Sequence, residues 1–306
     1  MTALMPANPA FLAASGALAV AVLLLWAPLP RAQRDWNWCA GLALACLAGL
    51  LAGYMDWRAP LCVLGYAVLA WRAREDGVAW RRALLLVLTG LAAFLLALHR
   101  VPGFLNPVLA EGIVFSPGAP PMSLRLNFDT ALAGIVLMGV FCRPIRLFAD
   151  SADSADWRAM LARVWPVTLA CLAVVLGLGW VLGYVRPDLE WTPYSAFFLA
   201  SNLLLTCVTE EAFFRGFLLE GMRRLLARWR GVKPAMAAAI ATVLSSVLFG
   251  LAHARGGAPL VLLATIAGLF YGLAYVRSRR IEGAILTHFA LNAVHFLAFT
   301  YPALAR

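Results

Sequence analysis

The sequence is poor in charge: only 13% of its 306 residues are Asp, Glu, Lys or Arg, while 63% are hydrophobic. A soluble domain has about 25% charged and about 45–50% apolar residues. Together with a mean hydropathy of +0.83, this composition excludes a soluble globular domain and predicts a membrane protein. The period-two alternation of an outer-membrane barrel is also missing, so the predicted class is helical.

Cysteine motifs and a signal peptide are lacking as well. None of the six cysteines forms a C-x-x-C pair, and all lie in or at the ends of apolar runs, where free cysteine packs as a small hydrophobic residue. No basic residue precedes the first apolar run, from about Ala10 to Ala27, although a signal peptide begins with a charged region. We therefore expect a first span that enters with its N-terminus outside.

The apolar runs predict an all-α polytopic membrane bundle of about 8–10 transmembrane helices, since about 20 residues cross a bilayer core. The predicted spans cover residues 10–28, 38–55, 60–71, 83–99, 128–142, 165–185, 194–219, 235–253, 259–276 and 283–301. The span 60–71 is short, and we expect it to be re-entrant or to extend through Trp57. Residues 100–127 are predicted to be non-helical and to pack against helix ends, and residues 149–162 to form a polar loop or a short amphipathic helix.

The net charge of +10 follows the predicted topology. Of the 25 basic residues, 18 lie in five alternate loops, which is the positive-inside pattern. The pattern explains the excess of basic residues without a nucleic-acid partner. It predicts that these residues interact with the lipid bilayer. We expect an integral protein of a bacterial inner membrane. The five loops are Arg31–Arg34, Arg72–Arg82, Arg143–Arg163, Arg223–Lys233 and Arg277–Arg280.

Charged residues in the middle of a predicted span occur only in the second half. We therefore divide the chain into an accessory N-terminal transmembrane bundle, residues 1–155, and a site-bearing transmembrane bundle, residues 156–306. A charged side chain at a helix centre in a bilayer costs about 2.5–3.5 kcal/mol even on lenient scales, and such residues are functional by default. The second half is therefore where a functional site is expected.

The charges stand in one apolar stretch as Glu210-Glu211-x-x-x-Arg215. On an α-helix Glu211 and Arg215 share a face with the acid N-terminal, the favoured orientation for an ion pair. Glu210 points about 100° away from Glu211, so this ion pair does not account for it. We predict that Arg215 supports Glu211 and that Glu210 acts as a general base or acid.

Three of the four histidines also lie in the second half. His253 ends a predicted span, and His288 shares a helix face with Asn292 and His295 at spacings of three to seven residues. We expect His295 to be a packing residue, as we do Cys207. His253 should lie near the opposite membrane face from His288, which conflicts with a shared site.

This inventory suits amide hydrolysis without a covalent nucleophile. A Glu and a His can deprotonate water, while a His and an Asn can donate hydrogen bonds to an oxyanion. Alternatively, Glu210, His253 and His288 are the ligand types that zinc takes, although H-E-x-x-H is absent. Two further alternatives are a proton- or ion-coupled transporter, against which the lack of repeat symmetry counts, and a non-catalytic membrane scaffold.

Three patterns in order, Glu210-Glu211-x-x-x-Arg215, Phe249-x-x-x-His253 and His288-x-x-x-Asn292, resemble the motifs of the CPBP family. These intramembrane proteases are related to the CAAX prenyl endopeptidase and to the bacteriocin-processing or immunity proteins called Abi. The resemblance covers about residues 160–301. It implies an intramembrane endopeptidase whose partner is a membrane-embedded or lipidated peptide or protein substrate.

The resemblance also implies a role for each residue. Glu210 and His253 would activate the attacking water, and His288 and Asn292 would form the oxyanion hole. Glu211 would belong to the catalytic group, and Arg215 would support it. Family members are widely named metalloproteases, but we favour a glutamate-type reaction with no cofactor and keep zinc as the alternative.

Overall fold

The computed structural model describes residues 9–27, 36–145 and 151–305, and for residues 151–155 it describes the backbone only. Seven helices in these ranges are long and apolar enough to cross a membrane: Pro9–Trp26, Ala79–Ala97, Asp156–Val181, Ser195–Leu226, Pro234–Ala252, Ala254–Ser278 and Ile281–Ala298. Asn37–Leu51 and Phe128–Phe141 are shorter apolar helices. The predicted polytopic helical bundle is therefore confirmed, and the chain is an integral membrane protein.

Residue contacts divide the chain into two compact units. The first unit consists of Met1–Glu111, Ser123–Leu147 and Leu204–Phe213, and the second of Gly112–Met122, Phe148–Leu203 and Phe214–Arg306. The predicted division into an accessory bundle and a catalytic bundle is a statement about function, and it stays a prediction. The compact units, however, place the segment that carries Glu210 and Glu211 with the N-terminal half of the chain.

The first unit is built around its most apolar helix. Its helices are α1 Pro9–Leu23, which continues as a 3-10 turn to Trp26, α2 Asn37–Leu51, α3 Arg58–Glu75, α4 Ala79–Ala97 and α5 Phe128–Phe141. Eleven of the fourteen residues of α5 are buried, as expected for a helix that is apolar on every side. Helices α1 to α4 all contact α5, which therefore forms the centre of this unit.

Two sequence predictions for the first half need correction. The span 60–71 is part of a full helix of 18 residues, Arg58–Glu75, about 27 Å long. It begins directly after Trp57, in line with the predicted extension, and it also continues beyond Trp71. The segment 100–127 is not only loop: strands β1 Val108–Ile113 and β2 Met122–Arg125 pair within it. Its predicted packing near a helix end is seen at Gly103, whose carbonyl accepts a hydrogen bond of 2.8 Å from the backbone N–H of Asp56.

The second unit has helix α9 at its centre. Its helices are α6 Ser151–Val181, the greater part of α7 Ser195–Leu226, α8 Pro234–Ala252, α9 Gly257–Ser278 and α10 Ile281–Ala298. Helix α9 contacts α6, α8 and α10.

Helix α6 begins within the segment predicted as a loop or short helix, and Asp156 there accepts a hydrogen bond from Arg280. Of the predicted basic loops, Arg31, Arg34 and Arg146 lie outside the described residues.

A buried carboxylate joins the end of α4 to the start of α5 in the first unit. Asp129 is 1% exposed, and its Oδ2 accepts hydrogen bonds of 2.8 Å from His99 Nδ1 and from Asn106 Nδ2. Its Oδ1 accepts a bond of 2.8 Å from the backbone N–H of Thr130. The carboxylate also lies in the first turn of α5, where the helix dipole favours negative charge. Asp129 thus anchors the ends of the segment 100–127.

We expect Asp129→Ala to lower the free energy of unfolding by about 2–3 kcal/mol, because a charged group accepting several buried hydrogen bonds is lost. Tryptophan fluorescence during denaturant unfolding in detergent measures the change. Glu75→Ala is the matched control, because that exposed carboxylate pairs with Arg74 at the surface and its loss should leave the unfolding midpoint almost unchanged. Equal midpoint shifts in both variants would contradict the anchoring role of Asp129.

Candidate active site

Helix α7, which carries the charged motif, alternates between α- and π-helical geometry. Ser195–Ser201, Val208–Glu211 and Glu220–Leu226 are α-helical, whereas Asn202–Cys207 and Ala212–Leu219 are π-helical. π-helical turns are rare and occur mostly at functional sites. The predicted ion pair between Glu211 and Arg215 assumed uniform α-helical spacing, and it stays a prediction.

The turn that carries the two glutamates, Val208–Glu211, belongs to the first unit and rests on α5. Thr209 Oγ1 donates a hydrogen bond of 3.3 Å to the Thr130 carbonyl. A Cβ at Gly134 would lie 2.2 Å from Thr209 Oγ1, so only glycine permits this approach of the two helices. Glu211 is fully buried, while Glu210 is partly exposed. The predicted roles of the two glutamates stay predictions.

Arg215 lies in the second unit and is fully buried. Its Nη2 donates a hydrogen bond of 2.9 Å to the Gly268 carbonyl of α9. The guanidinium carbon lies 4.8 Å from the ring centroid of Phe249 and 5.2 Å from that of Tyr271. Such cation–π contacts stabilise a desolvated cation by about 2 kcal/mol. The chain thus provides a polar acceptor and two aromatic faces for this buried charge.

Both predicted site histidines of the second unit contact the same aromatic residue. The ring centroids of Phe249 and His253 are 4.7 Å apart, and those of Phe249 and His288 are 5.7 Å apart. Tyr271 also stacks on His288 at 4.5 Å with an interplanar angle of 15°. We call Arg215, Phe249, His253, Tyr271 and His288 the Phe249 cluster.

The expectation that His253 and His288 lie near opposite membrane faces is therefore wrong. Helix α10 begins at Ile281, two residues before the predicted start, so His288 lies about 10 Å along its axis. His253 follows the last residue of α8, and its side chain folds back onto the preceding turn, where it meets Phe249. Phe249 bridges the remaining gap between the two imidazoles.

The hydrogen bonding of His253 identifies its tautomer. Its Nδ1 lies 2.8 Å from the Phe249 carbonyl oxygen, which can only accept, so Nδ1 carries the hydrogen. In the neutral ring the lone pair is then on Nε2, because the two nitrogens have opposite roles. His253 is partly exposed. It is therefore an oriented imidazole whose Nε2 can accept a proton from water.

The predicted His288 and Asn292 share a face of α10. His288 is 4% exposed and Asn292 is partly exposed. Asn292 Nδ2 donates a hydrogen bond of 3.2 Å to Asn202 Oδ1, a residue that the sequence motifs do not include. The sequence did contain a signal for Asn202, because it is an amide side chain directly before the apolar run Leu203, Leu204 and Leu205. Outside this group, Cys207 is fully buried and His295 contacts the ring of Tyr301, in agreement with packing roles.

The candidate zinc ligands are not supported as a group by the geometry. Among the described residues, no three His, Cys, Asp or Glu side chains are grouped so that they could hold a metal ion. The zinc alternative with Glu210, His253 and His288 therefore gains no support from the side-chain positions. It stays a prediction, and no chemical step below involves a metal.

Residues 191–294 match the family model described as Type II CAAX prenyl endopeptidase Rce1-like. This segment contains all three sequence motifs, so the match confirms the resemblance on which they were identified. It supports a CAAX-type intramembrane endopeptidase. No curated protein and no solved structure matches the chain.

Helix α8 approaches α9 closely at Gly250, one turn before His253. A Cβ at Gly250 would lie 1.9 Å from Thr265 Oγ1 and 2.7 Å from the Val261 carbonyl oxygen. Helix α8 continues through this glycine to Ala252. Gly250 therefore determines the distance between α8 and α9, and with it the position of the turn that ends at His253.

We expect Gly250→Ala to lower the free energy of unfolding by about 1–3 kcal/mol, since a methyl group has no space there. It should also reduce peptide cleavage per folded molecule, because the end of α8 and His253 must move. Gly177→Ala is the control, because a Cβ at that position of α6 has no atom within 4 Å. Thermal unfolding and cleavage assays on both variants test this. Unchanged stability and cleavage in Gly250→Ala would contradict the close approach.

Proposed function

We propose that the protein is an intramembrane endopeptidase of the glutamate type, which hydrolyses a peptide bond in a membrane-associated or lipidated substrate. The observation that carries this proposal is the Phe249 cluster. It holds two imidazoles around one ring, next to a fully buried arginine, within the segment that matches the CAAX endopeptidase model. A bundle that needed only packing would place apolar side chains there, because buried charges in a membrane are costly.

The proposed reaction uses water as the nucleophile. Glu210 and His253 take a proton from water while its oxygen bonds to the carbonyl carbon of the scissile amide. His288 and Asn292 donate hydrogen bonds to the oxygen that becomes negative in the tetrahedral intermediate. When the intermediate collapses, the C–N bond breaks and the proton moves to the leaving amine. The products are a carboxylic acid and an amine, and no covalent enzyme intermediate forms.

Each residue of the second unit has a feature that suits its proposed role. His253 donates from Nδ1 to a backbone carbonyl, which leaves Nε2 as the acceptor for a proton. His288 is held between Phe249 and Tyr271, so its ring orientation is fixed before substrate binds. Pre-oriented donors stabilise developing charge without reorganisation, and the loss of one such donor costs about 10²–10³ in kcat.

The partners that we propose are a membrane-embedded or lipidated peptide or protein and the bilayer itself, without nucleic acid. In a bacterial inner membrane, the expected location, candidates are a peptide pheromone, a bacteriocin leader or a C-terminal sorting helix. A prenylated CAAX peptide is a candidate only in a cell that prenylates proteins. Zinc stays an alternative cofactor, and a metallopeptidase reaction would depend on it.

We expect Glu210→Gln and His253→Ala each to reduce cleavage at least 10²-fold, since general acid–base groups contribute about 10²–10⁴-fold. The assay uses the full chain in proteoliposomes and an internally quenched peptide that ends in S-farnesyl-cysteine and three further residues. The same peptide without the lipid tests whether lipidation is required. Glu220→Gln is the control on the same helix, because that carboxylate pairs with Arg223 and Arg224 instead. If both site variants cleaved like the wild type, the catalytic assignment would be wrong.

A comparison of cellular peptides can identify the natural substrate whatever its class. Peptides from the membrane and secreted fractions of cells with wild-type protein and with Glu210→Gln should differ in fragments that depend on Glu210. Their new termini would give the cleavage site and its side of the membrane. The transporter alternative makes a different prediction: ion flux in proteoliposomes that disappears in Glu210→Gln. The scaffold alternative predicts neither cleavage nor flux.

A further inference from the structure

An interhelical amide pair lies beside the proposed oxyanion hole. Asn292 on α10 donates from Nδ2 to Asn202 Oδ1 on α7 over 3.2 Å, and both residues belong to the second unit. Asn202 is only 9% exposed and opens the first π-helical segment, Asn202–Cys207. The sequence motifs include Asn292 but not Asn202. The pair therefore links a motif residue to one with no assigned role.

Asn202 needs an explanation, because three leucines follow it in a helix long enough to cross the membrane. A buried amide in apolar surroundings is unfavourable unless it is hydrogen-bonded. One explanation is that the pair only joins two helices, as amide side chains do in many membrane bundles. This explanation predicts that losing Asn202 affects stability alone, and not the reaction.

The orientation of Asn292 matters for the proposed reaction. An Asn side chain ends in a planar amide, in which the NH₂ group only donates and the oxygen only accepts. If the amide rotated by 180°, its oxygen would replace the donor and repel a developing oxyanion. The acceptor oxygen of Asn202 selects the orientation in which the Asn292 nitrogen lies on the side of α7. While Asn202 presents its oxygen, this hydrogen bond favours the orientation in which Asn292 keeps its NH₂ group on that side.

We propose that Asn202 is a positioning residue that orients the Asn292 amide for oxyanion stabilisation. This inference rests on the proposed function, in which Asn292 contacts the reacting oxygen. Asn202 itself acts through Asn292 and does not touch substrate. The π-helical turn that begins at Asn202 fits this role, because such turns are enriched at functional sites.

The test compares kcat and KM for the S-farnesyl peptide in proteoliposomes, each normalised to the folded fraction of the variant. Asn202→Leu removes the acceptor at similar volume, whereas Asn202→Asp keeps an oxygen acceptor in the same place. Asn37→Leu is the matched control, because Asn37 is another buried amide that hydrogen-bonds across elements, to the Leu24 carbonyl in the first unit. Asn292→Ala tests the oxyanion role directly.

We expect Asn202→Leu to lower kcat about 10–100-fold, the range found when the hydrogen-bond partner that orients a metal-binding side chain is lost, with KM within about twofold of the wild type. The kcat of Asn202→Asp should be at least tenfold higher than that of Asn202→Leu. Asn37→Leu should keep the wild-type kcat per folded molecule. The inference is overturned if Asn202→Leu keeps the wild-type kcat, or if Asn202→Asp is no better than Asn202→Leu.

The failure of the inference and that of the proposed function give different results. If Asn292→Ala loses activity while Asn202→Leu does not, Asn292 contributes to the reaction without help from Asn202, and only the positioning role is wrong. If Asn292→Ala and Glu210→Gln both cleave like the wild type, the proposed function fails, and the positioning role fails with it.

Discussion

The buried guanidinium of Arg215 is the constraint on which the second unit depends. A fixed cation removed from water must be compensated by partners inside the protein, or it destabilises the fold by several kcal/mol. Here the Gly268 carbonyl and the faces of Phe249 and Tyr271 provide this compensation. Movement of either ring would remove part of this compensation. They also contact His288, so holding the cation fixes an imidazole of the proposed active site.

Close helix contacts make this arrangement rigid. A Cβ at Gly268 would lie 3.1 Å from the Ser246 Cα and 3.2 Å from Arg215 Nη2, and Gly250 leaves no space for a methyl group either. Small residues allow membrane helices to approach closely, because apolar surface gains little from burial away from lipid. Helix α9 is therefore tied to α8 by backbone approach and to Arg215 by a hydrogen bond. The catalytic proposal needs such stiffness, since it relies on donors that are oriented before the reaction.

The sequence predicted the helices well, because apolar runs in a membrane protein report directly on its spans. It also predicted Glu210, His253, His288 and Asn292 as polar groups that a bilayer segment would not otherwise contain. It could not predict the π-helical segments of α7, which depend on packing against other helices. Tyr271 was missed because an aromatic residue in an apolar span gives no signal of its own. The separation of His253 and His288 was predicted wrongly, because their shared contact with the Phe249 ring depends on packing between helices.

The division of the chain into units bears on what the family match means. The match covers residues 191–294, but within this range the segment Leu204–Phe213 belongs to the first unit. There Thr209 donates to the Thr130 carbonyl and packs against Gly134, both on α5, which lies outside the matched residues. The glutamate turn therefore takes its position from a helix that the family model does not include. It follows that the N-terminal half contributes directly to where the glutamate turn lies.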